Sequence, residues 1–305
     1  VASKFLAASG AAAAILVLVG CASGTKPSIQ PRAEAPAPTG GALQGQAMAF
    51  ESFMRKGQDI DPAFSSGGEV NQALQTGAAH EPRQLEAGMI AYAALAALQE
   101  PGFVDGVRRQ ARTGDLARRL AADPDAVLAV PGAQAAARRA GGALIREGAA
   151  LSGTGERVKR AAYKVQRQAW SKAAVPRPAA RLAEVKRISA AGYRPQAGDA
   201  ASLRASLAAG GSRSGDVSPV VTRGVALAAL SVLGQEGRGH ALMSEPRSAS
   251  CLRMAKLNLY QCLASARPHY EDIYCLGQHA LIDPGQCVAD AAEERPRITR
   301  ANYRR

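Results

Sequence analysis

Residues 81–98 read EPRQLEAGMIAYAALAAL, and the reading of this stretch decides the fold. Glu81-Pro82 is a helix start, because proline is tolerated in the first turn, where its missing N–H is not needed. From there Leu85, Met89, Tyr92, Ala96 and Gln99 recur along one helical face, while Ile90, Ala93, Leu95 and Leu98 cover most of the others. A helix apolar on nearly all sides has no face to offer water, so it is expected at the centre of a core built from other helices.

The chain around it has the composition such a core needs. Aromatic residues make up only 4% and β-branched residues are sparse, whereas Ala, Leu, Arg, Glu and Gln, the good helix formers, are abundant. The expected class is all-α, an irregular multi-helix domain. A second apolar run, TRGVALAALSVL at 222–233, repeats the AlaLeuAlaAlaLeu of 94–98 at 226–230; a duplicated unit and a chance echo both fit. Neither run reaches the roughly 18–20 residues of a membrane span.

Order is expected from Ala47, where Phe50, Phe53 and Met54 stand at helical spacing, with a loop over Asp61-Pro62 to Gly68 and a short helix from Glu69. Short helices are expected over 103–112, 116–122 and 126–130, broken by Asp123-Pro124 and Pro131-Gly132. An Ala-rich helix over 133–151 carries Gly141-Gly142, small residues that permit close helix approach. Gly210 to Gly215 reads as a flexible joint.

Four cysteines, Cys251, Cys262, Cys275 and Cys287, form the densest constellation. Cys251 and Cys262 on one helix are separated by about 16 Å of rise, too far for a bridge whose Cα atoms lie within about 7 Å. A turn at Pro268 makes an antiparallel helical hairpin and sets Cys262 opposite Cys275, so the nested pairing Cys262–Cys275 and Cys251–Cys287 is expected, with the crossed pairing as the alternative. Asp283-Pro284-Gly285 is expected to break the second helix before Cys287. His269 and His279 flank Cys275, but zinc ligands come as close pairs, which these spacings are not, so no metal is expected. Tyr260, Tyr270 and Tyr274 read as the packing of a small stapled core.

A basic helix is expected over Glu156 to Lys172. Val158, Ala161, Ala162, Val165 and Ala169 fall on one side, Arg157, Arg160, Lys164 and Arg167 on the other, with Tyr163 and Trp170 on a flank. Arg157, Arg160, Lys164, Arg167 and Trp170 are therefore candidates for binding an anionic membrane or glycan surface. The competing reading is an ordinary bundle helix with solvated arginines; an alanine face would contribute little in lipid.

At the other end, Lys4 precedes an uncharged run from Phe5 to Val19 that ends in Leu18-Val19-Gly20-Cys21. This resembles a bacterial lipoprotein signal with its lipobox. The resemblance implies cleavage before Cys21, lipidation of its sulfur, and two or three acyl chains as a durable membrane anchor. Ala22 in place of an aspartate implies the outer membrane, facing the periplasm. The expected organisation is then a signal peptide over 1–20, a Pro/Gly-rich tether over 21–46, a helical domain over 47–246, a four-cysteine hairpin over 247–294 packed on it, and a basic tail over 295–305. With Cys21 lipidated, the other four make an even set, as an oxidising compartment requires.

The chain is strongly basic, formally +13, and the signal segment carries off only Lys4 of that charge. Export makes nucleic acid a poor partner; peptidoglycan, lipopolysaccharide, anionic lipid or a protein partner fit better. No Gly-x-Ser-x-Gly, His-Glu-x-x-His or phosphate loop is present, no cofactor is called for, and His80 and His240 stand isolated. The expectation is a non-enzymatic envelope accessory or scaffold. The alternative is a cell-wall or lipid-modifying enzyme, which a pocket gathering His269, His279 and Asp272 would favour.

Overall fold

Helix α3 (Pro82–Ala97) is buried along almost its whole length; Met89, Ile90, Tyr92, Ala93 and Ala94 have no exposed surface. Glu81 caps it, accepting from the Gln84 N–H at 2.7 Å, with Pro82 in the first turn. Four helices pack on it: α1 (Gly41–Gln58), α6 (Ala133–Val165), α10 (Pro219–Val232) and α11 (Pro246–Ser265). Two of these approaches are closer than a side chain allows. A Cβ on Gly88 would meet the Gln46 carbonyl of α1 at 2.6 Å, and one on Gly224 of α10 would meet Ala93 at 2.7 Å. The two AlaLeuAlaAlaLeu runs thus lie on neighbouring helices of one core.

The fold is all-α among the described residues, which are 41–293 other than 113 and 213 of this computed structural model. Cys21, the segment before it, the linker up to residue 40 and the tail over 295–305 lie outside them. None of the described helices is long and apolar enough to cross a membrane.

Several boundaries differ from the sequence expectation. Helix α1 starts at Gly41 rather than Ala47, because Leu43 and Ala47 extend the buried stripe of Phe50 and Met54 back toward the N-terminus. The helices expected over 133–151 and 156–172 are one 33-residue helix as far as Val165, continuous through Ser152–Gly155. Its glycines do not break it: against Gly142, Gly148 and Gly155 the space of a side chain is filled by backbone from a neighbour. Gly142 lies under Gly211 and Ser212, so the segment expected to be a flexible joint is docked on α6. Short helices α2 (Gly67–Gly77), α4 (Pro101–Ala111) and α5 (Leu116–Ala122) fall near their expected places, as do 3₁₀ turns at Pro124–Ala129. A single turn, α7 (Ala169–Lys172), follows α6; α8 (Pro178–Ala191) and α9 (Asp199–Ala208) were not expected.

The C-terminal part is the expected hairpin. Helix α11 turns at Ala266–Pro268 into α12 (His269–Cys275), and both disulfides are nested: Cys262–Cys275 and Cys251–Cys287, each with Cα atoms 5.7 Å apart. Asp283-Pro284-Gly285 does not interrupt the returning helical arm of the hairpin. Residues Leu276–Ile282 form a π-helix, with Asp283 N–H bonding the Gln278 carbonyl, and α13 (Asp283–Ala292) continues directly from it. The widened turn re-routes the ladder just ahead of Pro284, which then occupies the first turn of α13, where its missing N–H is tolerated. Leu252, Leu259, Ile273, Leu281 and Val288 join the same core as α1, α3 and α6.

Candidate functional site

The solvent side of α6 near its C-terminal end carries Glu156, Arg157, Arg160, Tyr163 and Lys164, all exposed, while Val158, Ala161, Ala162 and Val165 are buried in the core. The apolar face is therefore taken by the protein itself. The helix stops at Val165, seven residues before the expected end, because the buried Ser171 hydroxyl donates to the carbonyls of Val165 and Gln168 and turns the chain. Arg167 lies exposed in that turn. Trp170 is half-buried in α7, its indole N–H donating to Gln168, and shares no helical flank with Tyr163.

Beside this basic face the hairpin contributes tyrosines. Tyr163 is 56% exposed and meets Tyr274 edge-on at 6.4 Å. Lys159 stands 5.6 Å over the Tyr274 ring and donates to Gln278 at 2.7 Å. Tyr163, Gln166, Tyr270 and Tyr274, with the Cys262–Cys275 bridge, line a cleft of about 320 Å³. It neighbours a second, open hollow bordered by Lys172, Arg267 and Tyr270. Tyr270 and Tyr274 pack against the core as expected and also line this cleft. Only Tyr260, under Lys186 at 5.5 Å, lies apart from this cleft. Spacing alone could not reveal this, since the cleft joins residues about a hundred positions apart.

The two hairpin histidines part company. His279 Nδ1 lies 2.8 Å from Asp283 Oδ2, one turn on. His269 lies instead in a cleft of about 570 Å³ with Gly67, Asn71, Arg177, Arg181 and Asp272. Arg181, from α8, is buried and donates to Asp272 and to the Leu263 carbonyl. Burial pushes the Asp272 carboxyl up to about 6 against the downward pull of Arg181. Burial also lowers His269, helped by the Arg181 charge. Among the described residues no three His, Cys, Asp or Glu side chains gather as a metal site. Asp61 and Asp123 are turn and capping groups, Asp61 accepting from Ala63 N–H at 2.9 Å and Asp123 from Asp125 N–H at 3.0 Å.

The two disulfides mark a chain that resides outside the reducing cytoplasm. Compared with protein-family models, curated proteins and solved structures, the chain matches none.

Proposed function

We propose that the protein is a periplasmic lipoprotein, anchored in the outer membrane through Cys21, that acts as a non-enzymatic accessory or scaffold by holding an anionic envelope polymer. The observation that carries this reading is that Tyr163, which lines the cleft with Tyr270 and Tyr274, lies on the same exposed stretch of α6 as Arg157, Arg160 and Lys164, with Arg167 exposed in the turn that follows. With the apolar face of α6 buried, insertion into lipid by this helix has no support, and surface attraction of a polyanion does. Tyrosine rings present flat apolar faces with a polar tip, which suits the C–H faces and hydroxyls of sugar rings. Peptidoglycan or lipopolysaccharide supplies both sugar rings and negative charge; a protein partner would have to present acidic side chains.

Two measurements test it. Intact mass of membrane-extracted protein reports acylation at Cys21, and an unmodified, uncleaved mass would remove the anchor. Sedimentation with purified peptidoglycan and with lipopolysaccharide vesicles tests the polymer, and failure to sediment with either, with no partner found by crosslinking, would remove the scaffold role.

The enzymatic alternative draws on one observation, the shared cleft of His269, Asp272 and Arg181, an acid near neutrality beside a neutral base. Turnover of peptidoglycan or phospholipid by the wild type, lost in Asp272→Asn, would favour it over the scaffold reading.

A further inference from the structure

The tyrosine cleft and the hollow beside it form one groove, because Gln166 and Tyr270 line both. Its two ends differ in chemistry. Tyr163, Tyr274 and Glu271 stand around the first, Lys172 and Arg267 around the second. The two cations come from distant parts of the chain and are brought together by a short bridge between Ala174 and Pro268. In it Val175 N–H donates to the Arg267 carbonyl at 2.8 Å and His269 N–H to that of Ala173 at 3.3 Å. The Ser171 hydroxyl fixes the turn that carries Lys172, and the Cys262–Cys275 bridge holds α12 against α11. Locked backbone therefore shapes the groove before any ligand arrives.

The charges at its two ends say what would fit. Lys172 and Arg267 are exposed, and among the described residues neither is in an ion pair; the Arg267 side chain donates only to the Ala264 carbonyl, at 3.4 Å. At the other end Glu271 Oε2 accepts from the Arg267 N–H at 2.8 Å, which leaves Oε1 to accept from a ligand hydroxyl. Lys159 stands over Tyr274 and Tyr163 meets it edge-on, so the rings with open surface are Tyr163 and the half-buried Tyr270. A chain charged evenly along its length would be repelled at Glu271. A ring with hydroxyls at one end and a single acid group at the other meets both ends favourably. The first hollow, about 320 Å³, holds roughly ten water-sized groups at about 30 Å³ each, the size of one hexose.

Resting on the polymer-holding reading of this face, we propose that the groove recognises one sugar unit of that polymer, an amino sugar bearing a single pendant acid group. The ring lies against Tyr163 and Tyr270 with a hydroxyl donating to Glu271, and the carboxylate or phosphate is held by Lys172 and Arg267. Arg157, Arg160 and Lys164 then attract the polymer, while the groove selects the unit.

The full chain in zwitterionic detergent, labelled with ¹³C in its tyrosine rings, tests this with two soluble probes. N-acetylmuramic acid carries the carboxylate of peptidoglycan, and N-acetylglucosamine 1-phosphate carries a phosphate like that of lipopolysaccharide. At least one should shift Tyr163 and Tyr270 saturably, and the tighter of the two assigns the source. Uncharged N-acetylglucosamine, acetate and inorganic phosphate should each bind about fivefold more weakly, the order expected when exposed charge contacts or the ring are missing. Lys172→Gln/Arg267→Gln changes two exposed side chains, so the fold is kept, and it should bring the acid sugars down to the level of N-acetylglucosamine. No saturable shift by either acid sugar overturns the proposal, as do equal affinities for charged and uncharged sugars or an unchanged preference in the double variant. Sedimentation with peptidoglycan or lipopolysaccharide without any binding of the soluble probes overturns the groove alone. Binding of a probe without sedimentation of either polymer removes the scaffold reading and leaves the groove as a saccharide site.

Discussion

Gly155 and Gly277 block each other reciprocally: a Cβ on Gly155 would lie 2.8 Å from the Gly277 carbonyl oxygen, and a Cβ on Gly277 would lie 2.9 Å from that of Gly155. About two turns away Gly148 and Gly285 repeat the contact at 2.5 and 2.7 Å. Helix α6 and the returning arm of the hairpin therefore touch backbone to backbone, and only glycine fits.

Alanine at Gly155 or Gly277 is expected to destabilise the protein by about 1–3 kcal/mol, the range for overpacking a filled interior. Gly153, on the same helix, has only the end of Arg157 near at 3.8 Å. Gly153→Ala should be neutral or stabilising by up to about 1 kcal/mol through helix propensity. Urea titration of the three variants checks the contrast.

The two bridges close loops of 13 and 36 positions. Chain entropy then assigns about 3 kcal/mol to Cys262–Cys275 and a little under 4 to Cys251–Cys287. Replacing either pair by alanine should lower stability by about 2–4 kcal/mol, the outer pair by slightly more. Denaturation with and without reductant measures this, and a variant as stable reduced as oxidised would contradict it.

Burial holds Lys256 down at about 7 from its usual 10.5, with Glu81 pulling the other way. Between those values the unfolded chain binds the proton and the folded chain does not, so stability rises with pH across the window, by at most about 1.4 kcal/mol per unit. Below pH 7 both states are charged and the cost of the buried ammonium is fully felt. Stability followed by urea titration from pH 7 to 10 should climb in the wild type. Lys256→Met should flatten that climb; an unchanged slope would place the titration elsewhere.

How far these features were legible in the sequence follows from how local their causes are. Helix α3 could be read because its apolar residues and its Glu-Pro start are contiguous, and the nested disulfides because a rigid helix and one proline leave few geometries. Helices α8 and α9 were not, since each buries only a few side chains, such as Val185, Leu203 and Leu207, too sparse a stripe to register. The unbroken run through Pro284 depends on a π turn, and the continuity of α6 depends on partners for its glycines, Gly211, Gly277 and Gly285, which lie far along the chain. The stop at Val165 hinges on one serine hydroxyl. Lys172 and Arg267 could not be paired without the fold, and neither could Tyr163 and Tyr274.

The central claim is that the basic, tyrosine-edged face of α6 holds an anionic envelope polymer. Co-sedimentation of the full chain with purified peptidoglycan, comparing the wild type with Arg157→Gln/Arg160→Gln/Lys164→Gln, tests it most directly. All three side chains are solvent-exposed, so the fold should survive. The account predicts binding at low salt that weakens as ionic strength rises and falls at least tenfold in the triple variant. Equal sedimentation of the two proteins at every salt concentration would contradict it.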